Sequence, residues 1–315
     1  MQIVSRPKKE EEHTLIAQSL GKQQNIKQQT KYNTLMRIAF ISDIHGNKPA
    51  LEAVLEDIQQ VGVDNIICLG DIANGGPSPA ECIDIVRNLD CPTVQGNHEL
   101  YLLDKSLSNG SSTCPSWGSA RWAHAQLKPE HLTYIANLPY KYELNSEDGA
   151  PATCVHASFY SQFSGFQADT SEEEMALYMD GHDNLTLFCA HSHCQLYRKW
   201  SNSWIINVGS VGMPLDGTPE AKYAIATRGK TSWNIEFRHV TYNVDLVMQE
   251  FDRSGLQEAG GLITAVFRYQ ILTGQPVLAQ FLLSMQKFAE ERGQPISKIY
   301  ADLPVPAYAQ QFMTR

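Results

Sequence analysis

The sequence predicts an α/β fold built on a largely parallel sheet, and three observations carry that expectation. From Met36 onward, short apolar runs of strand length alternate with amphipathic stretches of helix length. Several of those runs end in a polar cluster of Asp, Asn or His, as strands do when they empty into loops at one rim of a sheet. The composition, 43% hydrophobic and 19% charged over 315 residues, is that of an ordinary globular chain long enough for a large core.

Met36-Arg37-Ile38-Ala39-Phe40-Ile41-Ser42 reads as the first strand. A helix over 48–60 follows, with Leu51, Val54, Leu55 and Ile58 on one face. Residues 65–69 form a second strand, 79–89 a second helix and 93–95 a short third strand. Helices are expected over 117–127 and 129–138, then strands over 153–155, 186–189, 204–208, 223–227 and 233–240. The last of these nearly alternates, as a sheet with one partly wet face requires. Asn243 can cap a helix running to about Asp252, a second covers 262–272, and Pro276 opens a third that stops before Gly293. In that third helix Val277, Leu278, Phe281, Leu282, Met285, Phe288 and Ala289 make one apolar stripe, which either packs on the body or offers a partner surface over 277–289.

Ahead of the first strand, residues 1–35 hold six Gln, six Lys or Arg and three Glu with only scattered apolar positions. Such a segment cannot bury enough surface to order itself, so a flexible polar tail is expected and Met36 is a candidate translation start. A formal charge of −9 argues against a broad grip on nucleic acid or on an anionic membrane, so any phosphate must be held locally. The seven cysteines (Cys68, Cys82, Cys91, Cys114, Cys154, Cys189 and Cys194) are odd in number and unevenly spaced, which points to a reducing, cytoplasmic setting. Neither an apolar run of about 18 residues nor a signal-type N-terminus is present, so a spanning or secreted chain is not expected. P-loop and nucleophile-elbow motifs are also missing.

The chemistry lies in five clusters placed after strands: Ser42-Asp43-Ile44-His45, Gly70-Asp71, Gly96-Asn97-His98-Glu99, Val155-His156 and Ala190-His191-Ser192-His193. Loops at the carboxyl ends of strands converge, so residues spread over 150 positions can meet. Asp, Asn and His without thiolate suit Mn, Fe or Zn in an open catalytic site. Asp43 and His45, like His191 and His193, alternate along an extended segment and face one side. With Asp71, Asn97, His98 and His156 they are too many donors for one ion and enough for two that share a carboxylate. Two metals about 3.5–4 Å apart can clamp the attacking and leaving oxygens of a displacement at phosphorus. Cys189 and Cys194 read as strand-core residues, and His13, His124, His131, His182 and His239 as surface or packing residues.

In these blocks the chain resembles the calcineurin-like metallophosphoesterase superfamily, whose ordered signature is D-x-H, GD, GNH[DE], H and GH-x-H. The resemblance runs from Met36 to about Pro276. Within the superfamily the chain is similar to the small bacterial phosphodiesterase and diadenosine-tetraphosphatase-like branch, through GDIANGGPSP at 70–79, HLTYIANLP at 131–139 and INVGSVGMPLDGTPEAKYAI at 206–225.

The resemblance implies two packed mixed β-sheets flanked by helices, the four-layer sandwich, as a catalytic domain over 36–275 between the tail 1–35 and a helical extension 276–315. It implies a first metal on Asp43, His45, Asp71 and His193 and a second on Asp71, Asn97, His156 and His191. Manganese comes first among Mn, Fe and Zn. A hydroxide between the metals would attack, and His98 would give a proton to the leaving oxygen. The implied substrate is a small phosphate ester, with phosphodiesters and dinucleoside polyphosphates ahead of phosphomonoesters or Ser/Thr phosphoprotein. A catalytically silent scaffold of the same fold is the rival that the presence of His98 disfavours. The chain departs from the pattern at Ala190 and Ala157, where glycine is usual, and at Leu215, where a basic residue is usual. Asn74 and Gly75 stand where protein phosphatases carry Asp and Arg, which removes two supports for that activity.

Overall fold

The computed structural model describes residues 35–313 apart from 105, 107–116, 146 and 148, so all but Leu35 of the expected tail, together with His13 and Cys114, lies outside the described residues. In chain order the strands are β1 (Met36–Ile41), β2 (Asn65–Cys68), β3 (Lys141–Leu144), β4 (Ala152–Val155), β5 (Thr186–Cys189), β6 (Leu196–Trp200), β7 (Ser203–Asn207), β8 (Ala221–Arg228) and β9 (Trp233–Val240). They form two mixed sheets, as the resemblance implies, and not the largely parallel sheet read from the alternation of strands and helices, because only three of the seven strand pairings among the described residues are parallel. One has the order β2-β1-β8-β9, and the other β3-β4-β5-β7-β6.

Parallel pairing is confined to the strands that carry the site. β1 lies parallel to β2 with Ile38 opposite Asn65, β4 parallel to β5 with Ala152 opposite Thr186, and β5 parallel to β7 with Thr186 opposite Trp204. Their carboxyl ends therefore share one rim. Between the sheets Phe40 stacks on Phe188 with ring centroids 3.9 Å apart, and Trp233 meets both rings edge-on. Ile38, Ile67, Val94, Ile206 and Val208 complete this buried layer.

The helices are α1 (Lys48–Val61), α2 (Pro79–Asn88), α3 (Asn97–Leu103), α4 (Gly118–Gln126), α5 (Pro129–Ala136), α6 (Glu172–Met179), α7 (Val244–Ser254), α8 (Leu256–Thr273), α9 (Val277–Arg292) and α10 (Ile296–Ile299). α1 starts where the Asn47 side chain accepts the Ala50 N–H, and it buries Leu51, Val54, Leu55 and Ile58, the stripe read from the sequence. Asn243 caps α7 in the same way through the Leu246 N–H. α8 is broken at Gly261, whose φ of 56° and ψ of −129° leave the helical region, so a turn precedes the expected segment.

Residues 93–95 do not make a strand. Only one bridge, Thr93 to Cys68, forms between Pro92 and Gly96, because the chain turns into α3 before a ladder can extend. The strands β3 and β6, and the helix α6, were not expected. Both strands are sheet edges that carry lysine, with side chains alternating between exposed and half-buried, so neither shows an apolar run.

On α9, Val277, Phe281 and Met285 are buried, Leu278, Phe288 and Ala289 are half-buried, and Leu282 remains 43% exposed. The buried members join one cluster with Phe251 of α7, Ile271 of α8 and Phe312 near the C-terminus. No helix among the described residues is long and apolar enough to cross a membrane.

Removing the ring that joins the two sheets should be costly. Phe40→Ala is expected to lower unfolding free energy by about 3–5 kcal/mol, seen as a fall in the denaturant midpoint without loss of folded-state helicity. An unchanged midpoint would show that the layer repacks without cost.

Candidate metal centre

The rim is assembled by loops that hydrogen-bond to each other rather than to their own strands. After β1, the Asp43 N–H donates to Gly70 O at 3.1 Å, the His45 N–H to Asp71 O at 3.0 Å and the Gly46 N–H to Ile72 O at 2.9 Å. From the other side, the Val211 N–H donates to Ser42 O and the Gly212 N–H to Asp43 O, both at 2.9 Å. Approach is so close that a Cβ on Gly212 would lie 1.8 Å from Ile44 O, and one on Gly96 2.1 Å from Asp71 Oδ1.

This cross-linking holds an unusual backbone. Asp43, His45, Asp71, His191 and His193 all have positive φ, between 51° and 69°, although none is glycine. That region disfavours residues with a Cβ, and it persists because the surrounding bonds leave no alternative. The left-handed turns swing the five side chains inward to a common point.

All seven residues expected as ligands, and His98, are brought together. Asp43, His45 and His193 form one group, and Asp71, His156 and His191 a second. A third, His45, Asp71 and His98, overlaps both, and the ligand atoms of each group lie within 4.8 Å of one another. Asp71 Oδ2 is 3.8 Å from His45 Nε2 and 3.3 Å from His156 Nε2. Asn97 Oδ1 lies 2.9 Å from both His156 Nε2 and His191 Nδ1.

The donor set suits cations. A backbone carbonyl can only accept, so the Nδ1–H groups of His45, His156 and His193 donate to Asn74 O at 3.0 Å, Leu69 O at 2.7 Å and Met213 O at 2.5 Å. This fixes each ring and aims its Nε2 at the centre, the arrangement that orients metal-binding histidines. The Nε2 atoms of His45 and His193 are then 3.1 Å apart, and His156 Nε2 faces the Asn97 carbonyl oxygen. Such acceptor pairs repel unless a proton or a cation sits between them. Asp43 Oδ1, fully buried, receives no hydrogen bond, and His193 Nε2 is 3.3 Å away.

Electrostatics agree with the geometry. Burial disfavours charge on Asp43 and Asp71, yet His193 holds Asp43 below the ordinary carboxylate range, and His156 and His98 hold Asp71 well below it. Burial likewise opposes charge on His156, but the Asp71 carboxylate pushes it up to about 10, and Asp43 raises His193. Burial, reinforced by neighbouring histidines, brings His45 down to about 3 and His191 to about 4. Each carboxylate thus favours positive charge on one neighbouring histidine, His193 for Asp43 and His156 for Asp71.

Three contributors escaped the sequence reading. Glu99 is buried, and its carboxylate accepts the N–H groups of Asp71, Ile72 and Gly96, each at 2.8 Å, tying α3 to the loop after β2. Burial and the Asp71 charge push it up to about 7. The Gly96-x-x-Glu99 spacing, that of a helix-capping glutamate, was the available signal. Asn74 Nδ2 donates to His98 Nδ1 at 3.0 Å, which leaves the His98 proton on Nε2. Met213, whose carbonyl fixes His193, has a buried side chain in the same cluster as residues of α7, α8 and α9, and nothing local in the sequence announces this. His124 is outside the ligand groups and donates to Leu102 O at 2.8 Å, and His131 is buried against Asp84 at 3.2 Å.

Comparison with known proteins places this geometry. The calcineurin-like phosphoesterase superfamily domain matches residues 36–230. An uncharacterized protein of Methanocaldococcus jannaschii is 30% identical over 239 residues, covering 70% of this chain and 94% of that protein. Phosphodiesterase YfcE of Escherichia coli is 48% identical over 46 residues, 15% of this chain and 25% of that protein. Among solved structures, a metallophosphoesterase from Sphaerobacter thermophilus superposes with a TM-score of 0.62 at 30% identity, covering 76% of this chain and 100% of that one.

Glu99→Gln keeps the shape but replaces one accepting oxygen with an amide that cannot accept. Thermal unfolding should show a loss of about 1–3 kcal/mol. An unchanged melting temperature would mean that the three N–H groups do not depend on this carboxylate.

Proposed function

Because the chain belongs to the calcineurin-like phosphoesterase superfamily, and so is a metal-dependent phosphoesterase, we propose that it hydrolyses phosphodiesters or dinucleoside polyphosphates at a dinuclear centre. Asp43, His45, Asp71 and His193 would hold one divalent ion, and Asp71, Asn97, His156 and His191 the other, with manganese the first choice. The observation that carries this reading is the position of Asp71, whose Oδ2 lies 3.8 Å from His45 Nε2 on one side and 3.3 Å from His156 Nε2 on the other. When bound, such ions polarise the phosphoryl oxygens and lower the pKa of water, so that hydroxide is available at neutral pH.

The chain's own groups account for the remaining steps. The loops of positive φ hold the donors in place before substrate arrives, so little reorganisation is needed at the moment of reaction. The Asp71 carboxylate also accepts the His98 N–H through Oδ1 at 2.8 Å, which anchors α3 at the centre. His98 keeps its proton on Nε2, turned away from Asn74, where it can pass to the departing oxygen. Asn74 brings no charge to His98, and burial sets its basicity below the ordinary imidazole value. The Asp and Arg of protein phosphatases are replaced by Asn74 and Gly75, which favours small esters over phosphoprotein. The short likeness to a named phosphodiesterase supports the same choice.

Two substitutions test the proposal. Asp71→Asn should lower both bound metal and turnover, the latter on the order of 10²–10³-fold. A variant that keeps two metals per chain by elemental analysis and full turnover would refute the shared ligand. His98→Ala should slow diesters with alkoxide leaving groups on the order of 10²-fold or more while costing a nitrophenyl diester far less, since nitrophenolate departs without a proton. Equal losses on both would exclude His98 as the acid.

A further inference from the structure

A ladder of rings leads out of the metal centre on the His98 side. Ring centroids are 4.9 Å apart for His193 and His45, 4.5 Å for His45 and His98, and 5.2 Å for His98 and Tyr101. Beyond Tyr101 stand Trp117 at 5.3 Å and Phe163 at 5.8 Å. Phe163 is 51% exposed. It is held out by its own loop, because the Phe163 N–H donates to Ser161 Oγ at 3.0 Å and the Ser161 N–H to Ser158 Oγ at 3.1 Å. The Gln162 side chain ties the same loop to Gln95 O at 2.7 Å, directly before Gly96-Asn97-His98. On its far side the loop touches the centre again, since a Cβ on Gly165 would lie 3.0 Å from the His191 ring.

Three separate segments, α3, the turn before α4 and the loop between β4 and α6, thus gather three aromatic rings, with Tyr101 against His98 and Trp117 and Phe163 against Tyr101. Tyr101, Trp117 and Phe163 bring no charge there. A departing nucleotide or pyrophosphate is anionic and calls for guanidinium or ammonium partners, whereas aromatic faces attract planar, uncharged groups by stacking. We propose that Tyr101, Trp117 and Phe163 form a stacking subsite for a planar, neutral leaving group, which makes the substrate a nucleoside phosphodiester rather than an anhydride or an alkyl diester. The inference rests on the phosphoesterase reading given above. The reaction adds one water to phosphorus, breaks the P–O bond to the nucleoside and delivers a proton from His98 to the departing oxygen, so one diester and one water yield a monoester and an alcohol.

The test compares adenylyl-adenosine with glycerophosphocholine, two diesters with alkoxide leaving groups, on the manganese-loaded full chain. In the wild type kcat/KM should favour the dinucleoside. In Phe163→Ala the ratio of the two kcat/KM values should fall about tenfold, and Phe163→Trp should restore it. An unchanged ratio, or a wild type that prefers the glycerol diester, overturns the subsite while leaving phosphodiester hydrolysis intact. If neither diester is cleaved, it is the phosphodiesterase reading that fails. Adenosine binding, followed by tryptophan fluorescence, then decides the subsite alone: weakening of about fivefold or more in Phe163→Ala supports it, and equal affinity overturns it.

Discussion

Two carboxylates, Asp43 and Asp71, are buried side by side at one rim, and the rest of the centre follows from what that burial demands. Taken out of water, each must be met by positive charge or it would shed its own. The ion-pair partners of Asp43 are His45 and His193, and those of Asp71 are His45 and His156. Imidazoles therefore supply the countercharge. Because they can give up a proton, the same positions suit a divalent ion. A guanidinium would satisfy the carboxylates permanently and close the site.

Glu99 shows the contrasting solution to the same problem. It too is a buried carboxylate in this rim, but it is answered by three backbone N–H groups instead of a titratable partner. The difference sorts structure from chemistry. A carboxylate saturated by backbone donors has little left to offer a metal, whereas Asp43 keeps an oxygen with no hydrogen bond at all. Three neighbouring acids thus take two kinds of role, set by what surrounds each.

How much of this was legible depended on whether the signal was local. Asp43, His45, Asp71, His156, His191 and His193 were readable because each follows an apolar run, and strand ends converge whatever their separation in sequence, whereas Asn97, which follows no strand, was readable from its Gly96-Asn97-His98-Glu99 block. Edge strands such as β3 and β6 were not, since strands that face water carry charge and lose the apolar signature. The pairing of Thr93 with Cys68 failed to become a strand for lack of length, a matter of where Pro92 and Gly96 fall rather than of propensity. Asn74 was noticed only as a departure from the protein-phosphatase pattern. Its partnership with His98 spans 24 residues and appears only in three dimensions.

Met213 joins the metal-centre rim to the helices that follow the last strand. Its carbonyl fixes His193, while its side chain belongs to the buried cluster that also holds Val247, Phe251 and Ile271, beyond the stretch that matches the superfamily. The Gly217 N–H, in the same loop, bonds to Gly274 O at 2.9 Å where α8 ends. An ion held by His193 would therefore be linked to the packing of these helices through one loop, and linkage of that kind runs both ways. Amide exchange in α7 and α8 would then be a remote gauge of whether the centre is filled.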